Sequence, residues 1–151
     1  MNTENTLFKK INDDTIAALK SGNKAEVTCR RCLIAKIKDA TVNSGKDITD
    51  DAIYSCVDKI IKEIDQSIES FKSAGRTEAV DTLNAERFII SAYRPEQLTE
   101  DDVVTIIKDA ITRNGFSGRK DMGKVMKIVS PMTKNRADGK FVSSKVMELL
   151  G

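Results

Sequence analysis

The stretch Thr49-Asp-Asp-Ala-Ile-Tyr-Ser-Cys-Val-Asp-Lys-Ile-Ile-Lys-Glu-Ile-Asp-Gln-Ser-Ile-Glu-Ser-Phe-Lys-Ser-Ala-Gly75 decides the fold class. Its apolar residues, Ile53, Val57, Ile60, Ile61, Ile64, Ile68 and Phe71, recur at the spacing that places them on one stripe of an α-helix. Thr49 is a good N-cap, and Asp50 and Asp51 suit the positive end of a helix dipole. Ile48 can close over Ile53 as a hydrophobic staple, and Gly75 is the stop. The pattern predicts a helix over 49–74 with one face in a core.

Working outward, the same period recurs and no stretch alternates like a strand. Towards the N-terminus, a helix is expected over 3–20 with Leu7, Phe8, Ile11, Ala18 and Leu19 inward. Another follows over 24–42, broken at Asn43-Ser44-Gly45. Beyond Gly75 comes a helix over 77–93 carrying Val80, Leu83, Phe88, Ile90 and Tyr93, ended by Pro95. Leu98-Thr99-Glu100-Asp101-Asp102-Val103 then repeats the start signal, opening a helix that stops at Asn114-Gly115. Two shorter helices, over 120–130 and 140–150, flank the polar loop from Thr133 to Gly139. The expected architecture is all-α: a bundle of about four helices over 1–95 and a small three-helix domain over 96–151.

A chain of 151 residues can bury enough apolar surface to fold without disulfides or metal. Its longest apolar runs, such as Cys32–Ala35, are four residues, too short for a membrane span or a signal-peptide core. A soluble cytoplasmic protein is expected. Histidine is absent, which excludes imidazole acid–base catalysis, His-based triads and His-containing zinc sites. The glycines form no phosphate-binding loop, and no serine sits in a nucleophile elbow. Asp58, Glu63, Asp65 and Glu69 read as the wet side of the isoleucine helix rather than an acid–base pair. The sequence therefore offers no catalytic constellation, and no cofactor or metal is expected.

Cys29-Arg30-Arg31-Cys32 has CxxC spacing, with Cys56 a third soft ligand at most, one short of a structural zinc site. The pair lies inside a predicted helix with no strand before it, unlike a thioredoxin-type motif. Arg30 and Arg31 are placed to lower a thiol pKa, which keeps a redox role as the lesser reading. Structural thiols in a reducing compartment are the greater one.

Charge divides the chain. Residues 1–97 hold 15 basic and 16 acidic side chains, whereas Arg113–Lys145 holds nine basic residues against Asp121 and Asp138, a net of +7. Such a concentration suggests an anionic partner, nucleic acid above all. With Met122, Val125, Met126 and Val129 inward, helical geometry sets Lys120, Lys124 and Lys127 on the opposite face. These lysines, with Arg119, Lys134, Arg136 and Lys140, are the candidate contacts to the backbone of tRNA or another folded RNA. Against that stands the plain reading of a solvated face. Phe141, expected in the core, is the patch's one aromatic, so backbone or shape recognition fits better than base stacking.

The segments Ile64–Arg76 (IDQSIESFKSAGR), Asp121–Lys127 (DMGKVMK) and Arg136–Ser143 (RADGKFVS), with Arg31 ahead of CLIAKIK and Glu86 nine residues before Pro95, resemble the YqeY family along nearly the whole chain. That family is similar to the C-terminal tail of GatB, a component of the glutamine-dependent amidotransferase that corrects misacylated tRNA. The resemblance implies an N-terminal helical bundle followed by a small three-helix domain, and a tRNA-associated module without catalysis of its own. It also implies an alternative, participation in tRNA-dependent amidation, under the label carbon–nitrogen ligase with glutamine as amide donor, with the amidotransferase as partner. A further alternative, apart from the resemblance, is a protein-interaction module whose C-terminal helices present an apolar groove to a partner. Three positions depart from the family pattern: Ile64 stands for the usual Arg, Arg94 for Leu before the proline, and Asn135 for the Gly of GRADGK.

Overall fold

The computed structural model describes residues 4–151, and among these there are seven α-helices, two short 3-10 helices and no strand. The chain divides into two compact units, the first ending at Arg94 and the second spanning Pro95–Gly151.

The first unit contains α1 (Thr6–Lys20), α2 (Lys24–Ala40), α3 (Asp50–Ser73) and α4 (Thr77–Ser91). The α3 boundaries follow from its ends. Thr49 Oγ1 accepts from the Ala52 amide at 3.1 Å. At the other end Gly75 takes φ 72°, and the Arg76 amide reaches back to the Phe71 carbonyl at 2.9 Å. Ile53, Val57, Ile61 and Ile64 of α3 are buried, whereas Ile60, Ile68 and Phe71 flank them half-buried. Phe8 and Ile11 of α1, Leu33 and Ile37 of α2, Ile48, and Ile90 with Tyr93 close the core over the stripe. Each side chain buried to this degree contributes about 1.5–3 kcal/mol.

Three features of the first unit differ from the sequence pattern. Asn5 caps α1, its side chain accepting from the Phe8 amide, and the expected start at Thr3 lies outside the described residues. Leu19, expected inward, is 57% exposed because Phe8, Ile11, Thr15 and Ala18 already set the buried stripe of α1. Phe88 is 80% exposed. It stands two residues from buried Ile90, about 200° around the helix, so the two cannot face one core.

A polar network ties the end of α4 to the first two helices. The Tyr93 hydroxyl donates to Asp14 Oδ2 at 2.6 Å and accepts from Arg30 Nε at 2.9 Å. Arg30 Nη1 donates to Glu26, and Lys10 pairs with Asp14 while lying over the Tyr93 ring. Burial, with Asp14 beside it, pushes the Tyr93 phenol up to about 12. Burial alone would raise Asp14, but the Tyr93 hydroxyl and the Lys10 ammonium outweigh it and hold the carboxyl below its ordinary 3.8.

The second unit contains α5 (Glu100–Asn114), the 3-10 turn Arg119–Asp121, α6 (Met122–Thr133) and α7 (Gly139–Leu150). Thr99 and Asp102 form a reciprocal capping box at α5. Val103, Ile107 and Ala110 meet Val125 and Val129 of α6 and Val142, Val146 and Leu150 of α7. Phe141 is half-buried against this core. Pro131 lies inside α6, which outlasts the expected end near 130. The bond that proline cannot make would fall on the Lys127 carbonyl, on the exposed side where water can serve it.

Tyr93→Phe is expected to cost about 1–3 kcal/mol in chemical denaturation at pH 7, because it strips Arg30 Nε of its acceptor and Asp14 of a donor. The depressed Asp14 carboxyl stabilises the fold fully above its unfolded value of 3.8, and that contribution disappears as pH falls through the lower folded value. Asp14→Asn should therefore flatten part of the acid limb below about pH 4, measured by melting against pH.

Candidate nucleic-acid interface

The basic residues of the second unit stand on the outside of its three-helix core. Gly118 takes φ 76°, and Asp121 accepts from the Ser117 amide at 2.9 Å, which folds Arg119–Asp121 into a 3-10 turn. As a result α6 begins at Met122 and not at 120. Lys120 therefore stands in the turn before the helix, while Lys124 and Lys127 share the outer side of α6. Val125 and Val129 fill the core behind them, with Met122 and Met126 packed at its margin.

Arg119, Lys120, Lys124, Lys127, Lys134 and Lys140 are all exposed, and Arg136 is half-buried. Lys124 leans back to Asp121 at 3.6 Å. The Ser117 amide and the nearby Lys124 and Lys120 hold the Asp121 carboxyl below its ordinary range. Arg119, Lys120, Lys127, Lys134 and Lys140 make no ion pair among the described residues. Arg119 and Lys120 stand at one end of α6 and Lys134 at the other, about 18 Å apart along its axis. Arg119 with Lys120 at one end and Lys134 at the other thus bracket a helix carrying Lys124 and Lys127.

Arg136 is built in differently. Its Nε donates to the Glu96 carbonyl at 3.1 Å and its Nη1 to the Met132 carbonyl at 3.5 Å. The Arg136 carbonyl accepts from the Leu98 amide at 2.8 Å, and Gln97 Nε2 reaches the Asn135 carbonyl. The segment 95–98 is thereby strapped to the loop between α6 and α7. Asn135, in that loop, takes φ 63°, a conformation that glycine adopts without strain and asparagine tolerates best among the rest. Asparagine can therefore stand at the position where the resemblance puts a glycine. Asp138 caps α7, accepting from the Lys140 amide.

Elsewhere the sequence candidates behave as parts of the first unit. Cys29 is half-buried with its Sγ 3.8 Å from the Glu86 carbonyl, Cys32 is exposed, Cys56 is buried, and all three thiols are free. Burial, Glu86 and Cys32 push the Cys29 thiol up to about 11 despite Arg30. Arg30 does favour the thiolate, but burial outweighs it, so the lesser, redox reading finds no activated thiol at Cys29. Glu63 pairs with Lys36, Asp65 with Arg87, and Asp58 with Lys62 and Arg94. Ile64 is buried in α3, and Arg94 reaches Asp58 at 3.4 Å.

The family described as Yqey-like protein matches residues 8–150. The chain belongs to the YqeY family. A relative from Pyrenophora tritici-repentis (strain Pt-1C-BFP), named Altered inheritance of mitochondria protein 41, mitochondrial, is 32% identical over 152 residues. That match covers 98% of this chain and 83% of the relative. No helix among the described residues is long and apolar enough to cross a membrane.

Because Arg136 holds backbone carbonyls and Lys134 does not, their removal should separate. Arg136→Ala is expected to lower stability by about 1–3 kcal/mol, whereas Lys134→Ala should leave the melting transition within about 0.5 kcal/mol of wild type. Thermal or denaturant unfolding of each variant checks this.

Proposed function

We propose that this YqeY-family chain is a tRNA-binding or tRNA-associated helical module without catalysis of its own. Its RNA-contacting surface is formed by Arg119, Lys120, Lys124, Lys127, Lys134 and Lys140, with Arg136 shaping the loop between α6 and α7. In this reading residues 1–95 form a four-helix domain and residues 96–151 a separate three-helix domain that carries the RNA. One observation bears most of the weight. Five exposed cations, Arg119, Lys120, Lys127, Lys134 and Lys140, make no ion pair among the described residues and are spread along and around α6. A charge left unneutralised on a rigid scaffold gains most from a polyanion, because each neutralised phosphate releases condensed counterions. The low aromatic content of this surface favours contacts to a folded backbone over stacking on single strands. We place the protein in the cytoplasm, with the mitochondrial name of the relative favouring an organellar site for that protein.

A second reading, participation in glutamine-dependent tRNA amidation, draws on the similarity of the YqeY family, to which the DMGKVMK and RADGKFVS segments point, to the amidotransferase tail. Addition of the chain to an amidotransferase assay separates the two. The second reading requires product formation to change, and the first requires only tRNA capture. A protein-interaction module would instead retain its partner in a pull-down through nuclease treatment and high salt.

The primary test is tRNA binding by titration at several salt concentrations, for wild type and a Lys120/Lys124/Lys127→Glu triple variant with an unchanged melting transition. The triple variant should bind more weakly, and its dependence of log affinity on log salt should be shallower by about two to three units. Arg136→Ala should weaken binding while leaving that slope nearly unchanged. Equal binding by wild type and triple variant, or no binding at about 50 mM salt, would dispose of the electrostatic reading.

A further inference from the structure

Six of the eight glycines sit at positive φ, and Gly139 is the first residue of α7. Gly123 is different. It stands in α6 with an ordinary helical backbone, and the 3-10 turn Arg119–Asp121 precedes the helix, so helical residues flank it on both sides. It is exposed, and a Cβ built on it would meet nothing within 4 Å beyond its own helix. Neither backbone conformation nor packing among the described residues therefore calls for glycine at this position. Its presence has a cost. Glycine in a helix loses more backbone entropy than alanine and shifts the folding equilibrium about twofold to fivefold towards the unfolded chain.

The gap lies inside the basic surface. Lys124 follows Gly123 directly, Lys127 stands one turn on along the same face, and Lys120 precedes it in the 3-10 turn. Ser130, also small and exposed, continues that face beyond Lys127. Lysines alone do not need such a gap, since exposed ammonium groups attract a polyanion across a Debye length of about 8–10 Å. A missing side chain matters only to a partner that touches the main chain. We propose that the sugar–phosphate backbone of the bound RNA lies against the α6 main chain at Gly123, in van der Waals contact, with Lys120, Lys124 and Lys127 around it. The proposal rests on the RNA-binding reading above and adds to it a determinant that is steric and uncharged. Glycine is the residue that permits so close an approach of another backbone.

The test is a size series at Gly123 in the full-length chain, read by thermal melting and by tRNA titration at several salt concentrations. Gly123→Ala should raise the melting temperature by about 1–4 °C. It should nevertheless weaken tRNA binding about threefold to tenfold, because a methyl group is forced into the contact. Gly123→Leu, which keeps helix propensity, should weaken binding more than about tenfold. No charge changes in either variant, so the slope of log affinity against log salt should stay within about half a unit of wild type. Thr112→Leu, at an exposed position on α5, should bind as wild type does. Wild-type affinity in both Gly123 variants, an equal loss in Thr112→Leu, or a lower melting temperature for Gly123→Ala would overturn the proposal. A slope as shallow as that of the Lys120/Lys124/Lys127→Glu variant would overturn it too. If that triple variant loses affinity while the Gly123 variants do not, the contact fails and the RNA-binding reading stands. If wild type binds no tRNA, the RNA-binding reading fails and the contact with it.

Discussion

The isoleucine stripe of α3 must be kept from water, and the first unit is organised by the ways it is covered. Ile53, Val57 and Ile61 are at most 2% exposed, on a helix 24 residues long. No partner for so long a stripe exists within α3 itself, so α1, α2 and α4 must lie against it. That requirement fixes which face each of them turns inward, and it also explains the caps. A helix that must present the same residues along its whole length gains from fixed ends, which Thr49 and Gly75 supply. The network of Asp14, Tyr93 and Arg30 then locks the last turn of the unit in place just before Pro95.

The second unit solves the same problem at a smaller scale and with a different consequence. Its buried cluster is five valines with Ile107, Ala110 and Leu150, at helical spacing on α5, α6 and α7. Because so few positions suffice to close this core, the remaining faces can carry charge at no cost to packing. Nine basic residues against two acidic ones between Arg113 and Lys145 use that freedom. Most of this charge stands on exposed side chains, whereas half-buried Arg136 holds the strap at 95–98 and half-buried Lys145 lies over the Phe141 ring. In energetic terms the unit separates what makes it fold from what makes it attractive to an anion.

Much of this was legible in the sequence because it is local. Helical period, the Thr49 and Thr99 caps, the stop at Gly75 and the break at Pro95 each depend on a few neighbouring residues. What could not be read is long-range or depends on small shifts of phase. Tyr93 meets Asp14 across 79 positions, and Arg136 meets the Glu96 carbonyl across 40. No local pattern announces either bond. The tight turn at Gly118 moves the start of α6 and takes Lys120 off the helical face that its spacing suggests. Phe88 is apolar but stands at the wrong angle for the core, since Ile90 two positions on already claims it. The CxxC segment misleads for a related reason: sequence shows that arginines are adjacent to the thiols, but not the burial of Cys29 that outweighs Arg30.

The central claim is that one unit provides a scaffold and the other holds the RNA. Amide hydrogen exchange of the full-length chain, with and without saturating tRNA at low salt, tests it most directly. The account predicts slowed exchange confined to residues 119–140, in the turn, α6 and the loop leading to α7, with α1–α4 unchanged. Slowed exchange confined to residues before Arg94, or none under conditions where tRNA is bound, would contradict it.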